Sequence, residues 1–173
     1  IEYSLMERTV EGELVPMARE LGLGITPWSP LKGGILSGKY TRDNTPKADR
    51  GGWVDGFLNE ATFDLVDTLV EAAKAVDNTP ARVALSWVNN RPGVTSTIIG
   101  ARRLEQLEDN LAALELVLPD EINQKLDEAT TPNLSFPIRF LEHMSGFYGN
   151  GTNINGRQTP IIDFSPVDDD DRF

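Results

Sequence analysis

Leu23-Gly24-Ile25-Thr26-Pro27-Trp28, followed at once by Ser29-Pro30-Leu31-Lys32-Gly33-Gly34, is a short apolar strand running straight into a glycine-rich loop. Upstream of it, Glu2–Met6 reads as the end of another strand. Between the two, residues 13–21 place Leu14, Met17, Ala18 and Leu21 at helical spacing, and Gly22 supplies a helix stop. Strand, helix and strand in succession, with a connection of that length, form the unit from which parallel sheets are built. The expected class is therefore α/β.

Working outward, residues 29–59 are rich in Gly, Pro, Lys, Arg and Asp and far exceed common loop lengths, so they are read as a functional lid. Residues 60–77 set Phe63, Val66, Val70 and Ala73 on one stripe, flanked by Leu65, Leu69 and Val76, as in a helix with a wide buried face. Thr79-Pro80, a cap followed by a first-turn proline, opens another helix through Val83, Ala84, Trp87 and Val88, closed by Arg91-Pro92-Gly93. Residues 94–99 form a third β-rich strand. Leu104, Leu107, Leu111 and Leu114 build the helix after it, and Pro119-Asp120 opens a last helix carrying Ile122, Leu126 and Ala129. Beyond Thr131 the texture turns to Pro, Asn, Gly, Phe and Tyr without a clear period. It ends in Asp168-Asp169-Asp170-Asp171, read as a solvated acidic end. Two domains are expected, residues 1–130 and a partly ordered, irregular tail over 131–173.

The 173 residues can enclose one hydrophobic core, but a complete eight-unit α/β barrel takes about 250. The chain opens at Ile1 inside a strand, so a fragment, a processed product or one chain of a split protein is expected. A formal charge of −11, from 16 basic and 27 acidic residues, argues against general affinity for nucleic acid or anionic membranes. The absence of cysteine removes disulfides, metal thiolates and a cysteine nucleophile. With no charged and apolar leader, and no run near the roughly 18 apolar residues that cross a bilayer, a cytoplasmic chain is the expectation. Asn133-Leu134-Ser135 and Asn150-Gly151-Thr152 match the glycosylation pattern and are read as ordinary loop residues.

Ligands of parallel α/β sheets bind at the C-terminal ends of the strands, where both marked loops fall. Ser29 and the backbone of Pro30, Leu31, Gly33 and Gly34 can approach a pyrophosphate, because glycine lacks the Cβ that blocks close contact. Lys39 supplies positive charge in the same loop, and Arg50 joins the candidate set. Trp28 offers a flat face for stacking on a nicotinamide ring. At the other strand end, Gly100 turns the chain into a helix whose amides favour anions, and Arg102, ahead of Arg103, can fork onto a phosphate. Gln106, Asp109 and Asn110 lie on nearly one face of that helix, with groups suited to adenine and ribose. The set reads as an adenosine 2′-phosphate site, favouring NADP(H) over NAD. Gly33 to Lys39 nearly matches a P-loop, but Tyr40 stands where a Ser or Thr would hold magnesium.

Glu2-Tyr3-Ser4-Leu5, Trp28-Ser29-Pro30-Leu31 with Gly33-Gly34 and Ser37-Gly38-Lys39, and Gly100-Ala101-Arg102 through Asn110 resemble the sixth, seventh and eighth strand regions of bacterial aldo-keto reductases. They are also similar to the potassium-channel beta subunits that share that fold. The resemblance implies the C-terminal half of a (β/α)8 TIM barrel that reduces aldehydes or ketones with NADPH. It places the Asp, Tyr, Lys and His of catalysis on the other half, so no catalytic residue is assigned here. Tyr3 and the lone His143 are read as structural. By the same resemblance the tail shapes the substrate pocket, with Phe136–Tyr148 as contact candidates, and the glutamine that holds the nicotinamide carboxamide falls before Ile1. A half barrel leaves strand edges unpaired, so the expected partner is the missing N-terminal half or a second copy. The alternative is a non-catalytic half-barrel binding or structural module, self-associating or assembled with a partner.

Overall fold

The computed structural model describes residues 1–46, 52–154 and 156–161. It divides into two units, Ile1–Asn133 and Leu134–Phe173.

In the first unit three strand segments lie parallel and in sequence order, Glu2 pairing with Trp28 and Ile25 with Val94. Trp28 donates its amide to the Ile1 carbonyl (2.9 Å) and Tyr3 donates to Trp28 (3.4 Å). On the other side Ile25 donates to Gly93, Thr95 to Ile25 and Ile98 to Pro27, at 2.8–2.9 Å. The expected strands over 23–28 and 94–99 thus appear as single bridges rather than continuous ladders. Pro27, without an N–H, interrupts the middle segment's donors.

Five helices cover these segments: α1 (Leu14–Glu20), α2 (Glu60–Ala75), α3 (Pro80–Asn89), α4 (Leu104–Ala112) and α5 (Asp120–Ala129). Their ends carry the expected chemistry. Gly22, with φ +66°, lets α1 close on two bonds, Gly22 to the Arg19 carbonyl and Leu23 to the Ala18 carbonyl. The Asn59 side chain accepts from the Thr62 amide ahead of α2, and the Thr79 hydroxyl from the Arg82 amide ahead of α3. Tyr3, Leu5 and Ile25 from the strands meet Leu69, Ala73, Val83, Ala84, Trp87, Val88 and Leu126 in the main core. Each buried Leu, Ile or Val there contributes about 1.5–3 kcal/mol.

Three expectations about faces and order change. α1 buries Val15 and Ala18, whereas Leu14, Met17 and Leu21 stay exposed, so its core face is rotated by one position. α4 has the expected extent, but Leu104, Leu107 and Leu111 are exposed along it, as is Leu114 just beyond. The expected lid is in part a packed segment, because Ile35, Tyr40 and Val54 form a second small core with Val66 of α2.

The second unit is less irregular than its composition suggests. It holds α6 (Ile138–Gly149), closed by Asn150 at φ +34°, and a short hairpin of β1 (Asn153–Ile154) and β2 (Arg157–Gln158). Gly146 and Gly149 inside α6 weaken its helical signal. Asp168–Asp171 lie outside the described residues. No described helix is long and apolar enough to cross a membrane.

Candidate functional site

Ile98 donates its amide to the Pro27 carbonyl at 2.8 Å. This bond puts the Trp28 loop and the turn at Gly100 at neighbouring ends of parallel segments, so both leave the same edge. Trp28 is 47% exposed, leaving part of its ring clear of the core.

The loop that follows has an uncommon backbone. Ser29 (φ +56°), Lys32 (+46°), Gly33 (+65°), Gly34 (+94°) and Gly38 (+79°) are all left-handed. For Ser29 and Lys32 such a conformation costs about 1–3 kcal/mol each, and it clusters where a chain clamps a ligand. Pro30 is buried, and the Leu31 carbonyl accepts from the amides of Gly34 (2.9 Å) and Leu36 (3.2 Å). The exposed Lys39 folds back over the loop: a Cβ on Gly34 would lie 3.0 Å from its Nζ. Arg50 lies outside the described residues.

At the second strand end, Gly100 has no left-handed φ and open space where a Cβ would be, so the turn itself does not demand glycine. Arg103 precedes α4 without a capping side-chain bond, and the Arg102 amide donates to Gln106 Oε1 at 3.1 Å. Asp109 accepts from Arg82 Nε (2.6 Å) and from the Thr79 hydroxyl (3.1 Å), which ties α4 to the start of α3. Asn110 is buried. Arg102 and Gln106 are exposed, Asp109 is half-buried in its bonds to Arg82 and Thr79, and Asn110 lies beneath them.

Sequence reasoning missed a polar network below this edge. Tyr3 donates to Glu11 (2.8 Å), and the Arg8 guanidinium grips both oxygens of the same carboxylate at 2.8 and 2.9 Å. Arg8 and Arg91 lie over the ring of Trp87, at 5.1 and 4.2 Å from its centroid. Trp87 Nε1 and Arg91 both donate to Asp127. Burial, then the bond to Glu11, pushes the Tyr3 hydroxyl well above its usual range. The one clue was the i, i+3 spacing of Arg8 and Glu11 beside a strand, since neither charge is buried without a partner. A second missed pair is the buried Lys32 with Glu2. A cavity of about 410 Å³ also opens among Met6, Thr9, Phe57, Leu65 and Thr130. None of the expected cofactor residues lines it. In the second unit, the His143 ring meets the Arg139 carbonyl at 2.8 Å, and Phe136, Phe140, Phe147 and Tyr148 are exposed.

Residues 1–131 match the sequence model of the Aldo/keto reductase family. The chain belongs to that family. Among its curated relatives are an uncharacterized oxidoreductase of Bacillus subtilis, 40% identical, and a putative voltage-gated potassium channel subunit beta of Schizosaccharomyces pombe, 35% identical. Each match covers 73% of this chain, and 38% and 40% of those proteins respectively. An NADH-specific methylglyoxal reductase of Escherichia coli is 33% identical over 69% of this chain and 37% of its own length. The chain spans well under half the length of these relatives.

Proposed function

We propose that this chain is the cofactor-binding C-terminal half of a (β/α)8 barrel that reduces aldehydes or ketones with NADPH once an N-terminal half completes it. The observation that carries the reading is the Ile98–Pro27 bond, which sets the glycine-rich loop beside the Arg102 turn at one sheet edge. The donor set suits a dinucleotide. Left-handed backbone and the Lys39 ammonium face an anion at one loop, while Arg102, Arg103 and the uncapped amides of α4 face another.

When bound, NADPH supplies hydride for a carbonyl carbon. This half contributes orientation: Trp28 stacks on the nicotinamide, the loop from Ser29 to Lys39 holds the pyrophosphate, and Arg102 takes the 2′-phosphate with Gln106 beside the adenine. The proton donor belongs to the other half. The Escherichia coli relative's NADH specificity makes the 2′-phosphate assignment the point to test.

Fluorescence titration with NADPH and NADH, on this chain together with an N-terminal half, provides the test. Arg102→Ala should weaken NADPH about 10–100-fold more than NADH, as loss of a charge-assisted bond implies. Equal losses overturn the 2′-phosphate assignment, and no binding of either overturns the cofactor reading.

A second reading, a non-catalytic module that assembles with another copy of itself, draws on the exposed Leu14, Met17 and Leu21 of α1 and the leucine stripe of α4. Self-association without cofactor affinity would favour it.

A further inference from the structure

We propose that Lys32 is a positioning residue: paired with Glu2, it latches the glycine-rich loop to the strand segment beside Trp28 and so keeps the loop in its ligand-ready shape. The inference rests on the cofactor reading above. Lys32 is 5% exposed, and its Nζ lies 2.5 Å from Glu2 Oε1. The same ammonium sits 4.5 Å from the centroid of Phe57 and 5.9 Å from that of Trp53, inside cation–π range. Phe57 and Trp53 in turn pack edge to face at 5.0 Å.

The contacts converge on a backbone that needs holding. Lys32 is itself left-handed, three residues after the left-handed Ser29 and directly before Gly33 and Gly34. A side chain other than glycine at 33 would strike Trp53, with a Cβ 2.8 Å from its ring. Strained residues persist only where their surroundings over-determine them, and here one ammonium joins Glu2, Phe57 and Trp53 around the loop. Glu2 is the residue bridged to Trp28 in the parallel pair. The latch therefore ties the loop back to the place where it leaves the sheet, 30 residues along the chain from its partner.

A latch and a direct phosphate ligand make opposite predictions for Glu2. If Lys32 only orders the loop, removing either partner weakens binding. If Lys32 were a phosphate ligand restrained by Glu2, releasing it would strengthen binding. The lysine acts on loop geometry common to both dinucleotides, so the loss should not depend on the 2′-phosphate.

The experiment titrates NADPH and NADH against the wild-type chain with its N-terminal half, and against Lys32→Met, Lys32→Arg and Glu2→Gln. Limited chymotrypsin digestion of residues 32–59 is followed in parallel, without cofactor. Expected are about tenfold weaker binding of both cofactors in Lys32→Met and Glu2→Gln, as when only a tenth of the molecules hold the competent loop. Partial rescue in Lys32→Arg and faster cleavage in the two weakened variants are also expected. Unchanged cleavage, a loss confined to NADPH, or tighter binding in Glu2→Gln overturns the latch. Faster cleavage with no binding even by the wild type overturns the cofactor reading and, with it, the positioning role, while leaving the mechanical tie in place. Should Lys32→Met fail to fold, Glu2→Gln, which keeps the lysine charge, decides the question by itself.

Discussion

Tyr3 shows how one residue's surroundings set its chemistry. Its hydroxyl is buried and donates to a carboxylate that Arg8 also holds, so the neutral phenol is favoured in the folded chain. A phenol in the unfolded chain loses its proton near pH 10. Between that pH and the higher folded value the native state binds the extra proton, so this contribution is complete below about pH 10 and is lost as pH rises further. Urea midpoints of wild type and Tyr3→Phe should therefore differ most at pH 8, and the gap should narrow steadily as pH rises above about 10. A gap that stays constant with pH would show that the hydroxyl proton plays no part. Asp109 carries a related lesson: beside the ligand role read from its helix face, its carboxylate ties α4 to Arg82 and Thr79, a link the sequence did not announce.

At the scale of elements, end chemistry and burial separate. Thr79 with Pro80, and Gly22 at φ +66°, place helix boundaries where local hydrogen bonding requires them, and both were readable from the chain. Thr79→Ala removes the bond to the Arg82 amide and the one to Asp109, and should lower stability by about 1 kcal/mol; Thr79→Ser should restore most of it. Urea denaturation followed by far-UV circular dichroism measures both. Which face of a helix is buried was less legible. In α1 the apolar positions Leu14, Met17, Ala18 and Leu21 keep helical period, yet of these the core takes only Ala18, together with Val15, in one cluster with Ile25 of the neighbouring strand segment. A helical period reports that an element has an apolar face, and the element's docking decides which residues fill the core.

For the whole molecule, the leucine stripe of α4 is the telling feature. Leu107 is 39% and Leu111 48% exposed, on a helix whose other side packs on α3. The double change Leu107→Glu with Leu111→Glu should alter the stability of the isolated chain by less than about 0.5 kcal/mol per site, as at other exposed positions. Under the proposed function it should also abolish association with an N-terminal half. Sedimentation velocity checks the association, and unaltered complex formation would show that this face is not the interface.

The sequence by itself determined the strand-helix alternation, the helix ends and the two loops that carry the family resemblance. These depend on local backbone chemistry and short-range periodicity, which neighbouring residues carry among themselves. Only the tertiary structure decided that strand pairing is reduced to single bridges around Pro27, that Asp109 pairs with Arg82, and that Arg8, Trp87 and Asp127 lock together across more than 100 residues of chain. The same holds for Lys32, which reaches Glu2. Partners so far apart meet because burying their charges demands a counter-charge nearby, and that demand names a kind of residue without naming which one in the chain will answer it.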